Sequence, residues 1–93
     1  MIKLVQITKN TDGRYSLSQV YVNPRHIIFM SENTKLRQLL SEGRIGLKLE
    51  KNLSFTKIKI NENNNTMEID VVGSPETIES KIFNNNKRRI LRG

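Results

Sequence analysis

The chain has 93 residues and a formal net charge of +7, with 35% hydrophobic residues, 27% charged residues and no cysteine. That length makes one domain with one modest core, and the missing thiols exclude both a disulfide framework and a cysteine zinc site. No apolar run approaches the ~20 residues of a membrane span, and the start MIKLVQITKN is too short in apolar residues for a signal peptide, so the expected compartment is the cytoplasm.

The first predicted element is a strand over 2–8, IKLVQIT, with Ile2 and Leu4 on one face and Val5 and Ile7 on the other. A strand apolar on both faces is expected at the centre of a sheet or under a helix. Asp12-Gly13 makes the following turn, and 15–22, YSLSQVYV, returns as a second strand whose Gln19 places it near an edge. Asn23-Pro24 breaks the chain, because proline lacks a ladder donor and drives the preceding residue toward an extended conformation. A third strand over 26–30, HIIFM, reads as buried on both faces.

The period then changes. Leu36, Leu39 and Leu40 fall on one helical face, with Ser31 or Asn33 as cap and Gly43 just past the end, giving a helix over about 32–42. Residues 44–52, RIGLKLEKN, suit a short strand or a loop equally.

The clearest stretch is 53–73. Thr56, Ile58 and Ile60 alternate with Lys57 and Lys59, and Met67, Ile69 and Val71 alternate with Glu68 and Asp70, which signals a hairpin with one buried face. Setting Ile60 opposite Met67 brings Lys59 opposite Glu68 and Lys57 opposite Asp70, so apolar residues meet on one face and opposite charges on the other. A one-residue slip would turn the isoleucines to water, whereas a two-residue slip keeps the faces and is excluded less firmly. The link NENNNT has no glycine, so a longer open turn is expected rather than a two-residue one. Ser74-Pro75-Glu76 opens a second helix over about 75–83, with Ile78 and Ile82 facing the sheet and Asn84–Asn86 ending it.

The expected fold is therefore α+β: one domain over 1–83, with a five-stranded, mainly antiparallel bent sheet or partly open small barrel and two short helices. Its expected core is Ile2, Leu4, Leu17, Ile28, Leu36, Leu40, Ile58, Ile69, Val71, Ile78 and Ile82. Residues 84–93 read as a basic, flexible C-terminal tail. Lys87, Arg88, Arg89 and Arg92 supply four of the positive charges, leaving +3 on residues 1–86.

Chemistry-bearing residues are few. His26 is the single histidine and has no serine, acid or second histidine at a spacing that would orient it as a catalyst. Glu68 and Asp70 share a strand face and could hold a divalent ion, but the lysines opposite them give the simpler account as ion pairs. No metal or cofactor is expected, and no enzyme activity. The sharpest functional candidate is the tail, whose four cations Lys87, Arg88, Arg89 and Arg92 suit phosphate contact by counterion release. A solubilising end is the plain alternative. The tail carries no aromatic residue, and Tyr15 and Tyr21 stack on bases only if their face is open, which argues against a single-strand stacking platform.

Met1-Ile2-Lys3-Leu4, then Tyr21-Val22-Asn23-Pro24 leading into His26-Ile27, resembles the opening of the flagellar FlbD-like (swarming-motility) small protein family. Val71–Glu79 resembles that family's closing strand and acidic short helix more loosely. The segment Asn33–Asn52 and the basic tail depart from the pattern, which makes the small proteins of similar pattern in tailed phages the closer comparison. The resemblance implies a small non-enzymatic accessory protein of a bacterial or phage-infected cell. Two functions follow as expectations. One is binding of nucleic acid, or of a nucleic-acid machine, through the basic tail. The other is a protein-interaction or assembly module in which an exposed strand edge, with residues 15–22 the candidate, pairs with itself or with a partner.

Overall fold

A computed structural model describes the backbone of residues 1–92 and the side chains of residues 1–84. Five strands form one antiparallel sheet: β1 (Ile2–Lys9), β2 (Tyr15–Val22), β3 (Ile27–Glu32), β4 (Phe55–Glu62) and β5 (Asn65–Val72). Their order is β2-β1-β5-β4-β3, so β1 is interior, as its two apolar faces require, and β2 and β3 are the edges. Helix α1 (Thr34–Ser41) follows β3, and α2 (Pro75–Arg92) follows β5.

The link between the two edge strands shows how far the sheet is bent. Val22 leads to Ile27 through a single 3-10 turn, Pro24–His26. Fully extended, a link of that length reaches at most about 18 Å. In a flat sheet the edges would lie about 19 Å apart, before counting any offset along the strands. The offset is large: Val22 pairs with Ile2 at the start of β1, whereas Ile27 pairs with Ile60, beyond the rung that Ile7, Asp70 and Lys57 share. The sheet must therefore curl until its edges approach diagonally, and it does so without closing into a barrel.

Strand parity sorts the core into two clusters. On the α2 side Ile2, Leu4, Val22, Ile58, Ile60, Ile69 and Val71 pack around Ile78, with Ile27, Met30 and Ile82 at the margin. On the α1 side Ile7 and Phe55 pack against Leu36, Leu40 and Ile45. Residues 44–52 form no strand; they are a loop that brings Ile45, Leu47 and Leu49 onto this second cluster, and Gly46 at φ +79° holds a conformation that breaks strand geometry.

Local signals act as the residues dictate. Asn33 caps α1, its Oδ1 accepting from Leu36 N–H at 3.1 Å, and Gly43 ends it at φ +71°. Ser74 caps α2 by accepting from Thr77 N–H at 3.2 Å. The hairpin register is the one its charges select, with Ile60 opposite Met67 and Lys57 opposite Asp70.

Several expectations are corrected. The β4–β5 link is a tight two-residue turn, Glu62 opposite Asn65, with Asn63 and Asn64 at φ +51° and +65°. Asparagine tolerates the left-handed region well enough to supply both positive φ values that a type I′ turn needs. The third strand begins at Ile27, His26 belonging to the 3-10 turn, and it is not buried on both faces. A bulge between Ile27 and Phe29 shifts its register, so Ile28 is 53% exposed rather than in the core. Leu17 is also outside the core, at 39% exposure, because β2 is an edge whose α1-side face is only partly covered. Helix α1 is shorter than 32–42, because Glu32 is still paired in β3. Helix α2 does not stop at Asn84–Asn86 but continues to Arg92. Asparagine costs a helix only about 0.7 kcal/mol relative to alanine, and no glycine or proline interrupts the segment before Gly93.

Candidate functional site

A strongly charged concavity lies between α1 and the β1–β2 hairpin. It is an open cleft of about 640 Å³ with Ile7, Leu36 and Leu39 in its wall and with Lys9, Lys35, Arg44, Tyr15, Asn33 and Asp70 contributing its polar surface. Each cation arrives from a different element. Lys9 ends β1, Lys35 sits in the first turn of α1, and Arg44 follows that helix's glycine stop.

Among the described residues the cleft has one acid, Asp70, and it is engaged. Asp70 Oδ1 accepts from Asn33 Nδ2 at 2.8 Å. Arg44 Nη1 lies 3.5 Å from Glu42 Oε1, a pair whose side chains are 68% and 41% exposed and so bind each other weakly. Lys9 Nζ sits 5.8 Å from the centre of the Tyr15 ring. Among the described residues, neither Lys9 nor Lys35 has an acidic partner within 4 Å. Lys35 also runs against the helix dipole: the first turn of α1 has no acid, and a cation there is disfavoured by about 0.3–1 kcal/mol. By contrast, α2 opens with Glu76, as the dipole favours. A local rule broken on the wall of a cleft is the kind of departure that function produces.

A second cleft, of about 320 Å³, opens where the sheet curls toward its own edge. Val20, Val22, Ile60, Met67 and Ile69 line it, with His26, Asn23, Gln6 and Glu62 among its polar groups. His26 and Glu62 are its titratable pair besides Tyr21, and among the described residues no three His, Cys, Asp or Glu side chains converge as a metal would need.

The residues singled out in the sequence fall as follows. Lys87, Arg88, Arg89 and Arg92 lie on the helical backbone of α2, and their side chains are outside the described residues. Glu68 and Asp70 are not a chelating pair: Glu68 Oε2 faces Lys57 Nζ at 3.8 Å, while Asp70 holds Asn33. Tyr21 is open, at 64% exposure, whereas Tyr15 is half-buried against the α1-side cluster. Lys9, Lys35 and Arg44 were missed because they are far apart in the chain. The one local hint was a lysine directly after the capping Asn33-Thr34.

No protein-family model, curated protein or solved structure matches the chain. No helix among the described residues is long and apolar enough to cross a membrane.

Proposed function

We propose that this chain is a small, non-enzymatic accessory protein that binds nucleic acid, or an assembly built on nucleic acid, through clustered cations. The observation that carries this reading is the cleft beside α1, where Lys9, Lys35 and Arg44 face one concave surface and the single acid is already hydrogen-bonded to Asn33. A wide, open, polar cleft with aliphatic stems in its walls suits a phosphate backbone better than a small buried ligand, since phosphate contacts need exposed cations and no enclosure. The C-terminal cations Lys87, Arg88, Arg89 and Arg92 add a second positive segment. Exposed aromatic residues do not form a row on the sheet, so the reading favours backbone contact without base stacking.

The test is fluorescence anisotropy with a labelled duplex and the matching single strand over a range of salt. Each phosphate contact contributes about −0.9 to the log–log salt slope on duplex DNA. Ending the chain at Asn86 removes four cations and is expected to flatten the slope by about 3–4 units, and replacing Lys9, Lys35 and Arg44 with glutamine by a further 2–3. Absence of binding at low salt, or binding unchanged by both alterations, overturns the proposal.

A further inference from the structure

We infer that the free edge of β2 is a self-pairing surface, and that two copies of this chain join antiparallel about Gln19 into one continuous ten-stranded sheet. The edge is eight residues long, Tyr15–Val22, and contains no proline and no register shift. Strand edges of that length are templates for another strand unless something blunts them. The opposite edge is blunted: β3 is shorter, carries a bulge after Ile27, follows Pro24 and ends on Glu32. Among the described residues, nothing comparable protects β2.

Charge points to the occupant. The chain carries +7, so two copies repel wherever their cations meet. β2 is the one strand of the five without a Lys, Arg, His, Asp or Glu; β1, β3, β4 and β5 each have at least one. The single neutral strand of a strongly basic protein is also its unprotected edge, and a second copy is the partner that most needs such neutrality.

The turn fixes which groups the edge offers. Asn10 N–H donates to Arg14 O, which makes Asn10–Arg14 a hydrogen-bonded rung next to Lys9–Tyr15, while Asn10 O accepts from Gly13 N–H inside the turn. Alternation along an antiparallel pair then turns Ser16, Ser18, Val20 and Val22 toward β1, and Tyr15, Leu17, Gln19 and Tyr21 outward. Antiparallel pairing that preserves faces requires a residue at its centre. With Gln19 opposite its own copy, Leu17 lies opposite Tyr21 on both sides of the axis, and both of these residues are exposed in the single chain. All of these are outward-pointing residues, so the register also meets the hydrogen-bonding phase. The two-fold axis stands perpendicular to the sheet, which puts the α1 helices of both copies on the same side.

Sedimentation of the full chain into the high-micromolar range, with Gln19→Lys and Gln19→Cys variants, tests the proposal. The wild type is expected to form dimers as concentration rises. Gln19→Lys places like charges opposite each other and is expected to stay monomeric with unchanged thermal unfolding, since residue 19 is exposed. The chain has no native cysteine, so Gln19→Cys is expected to oxidise to a disulfide dimer far faster than a Lys51→Cys control on the distant loop. A wild type that stays monomeric throughout, or dimers unaffected by Gln19→Lys, overturns the inference. Nucleic-acid anisotropy of the Gln19→Lys monomer separates this outcome from the cation reading, because the cleft of each copy is intact in it.

Discussion

The side-chain amide of Asn33 joins two elements at once: its Nδ2 donates to Asp70 Oδ1 on β5 at 2.8 Å while its Oδ1 caps α1 at Leu36 N–H. Asparagine is the one residue of its shape that donates and accepts here. Asn33→Asp keeps the cap acceptor but sets a second carboxylate against Asp70, so it is expected to lower stability by about 1–2 kcal/mol. Adding Asp70→Asn reverses the polarity of the bond and is expected to restore most of the loss. Urea unfolding of the two single variants and the double variant measures the coupling.

Thr56 is fully buried, and its hydroxyl donates to the Gly73 carbonyl at 2.7 Å. Thr56→Val keeps the shape and removes the donor, with an expected cost of about 1–2 kcal/mol. Gly73 itself stands at φ +120°, and an added Cβ would lie 3.5 Å from Ile78 Cδ1. Space is therefore not the obstacle to Gly73→Ala; backbone conformation is, and a loss of at least about 1 kcal/mol is expected. For a domain of this size each kcal/mol lowers the melting temperature by roughly 4–8 °C, which calorimetry resolves.

The two-residue turn Asn63-Asn64 invites an improvement. Asn64→Gly retains the turn and relieves the second positive φ, and an increase in stability of a few tenths of a kcal/mol is expected; Asn64→Ala is expected to cost about 1 kcal/mol. A gain in the alanine variant would show that the turn does not hold this geometry in solution.

Phe55 is completely buried at the root of the α1-side cluster, and Ile28 lies on the bulged edge. Phe55→Ala is expected to cost about 3–5 kcal/mol, a large share of the roughly 5–14 kcal/mol typical of a chain this long. Ile28→Ala is expected to stay within about 0.5 kcal/mol. Denaturant midpoints of the pair separate core from edge.

These residues also mark how far the sequence could be read. Alternation from Thr56 to Ile60 and from Met67 to Val71 assigned the faces of β4 and β5, and lysines set against acids suggested, over a two-residue slip, the register the sheet adopts. The ion pairs themselves were not legible. Lys57 reaches diagonally to Glu68, and Lys59 lies 5.7 Å over the Phe29 ring, because long side chains choose among neighbours that only the folded sheet supplies. Ile28 was misread for a related reason, since a bulge leaves no mark in a run of apolar residues. The cleft beside α1 was the least legible feature. Lys9, Lys35 and Arg44 are brought together by the packing of α1 and the residue after its glycine stop against β1, a long-range contact with no local signature.

The seam between β1 and β5 sets the order in which the chain can assemble. It consists of two rungs, Gln6 opposite Val71 and Ile7 opposite Asp70, joining the beginning of the fold to its end. The β1–β2 hairpin is local and can form as soon as it leaves the ribosome. Its inner strand then waits for residues some fifty positions downstream, which at about 5–20 residues per second is a delay of several seconds. Through that interval Ile2, Leu4 and Ile7 have no sheet to cover them, and β1 as well as β2 presents an open edge. Crowded nascent chains are therefore most vulnerable to mispairing before β5 is made.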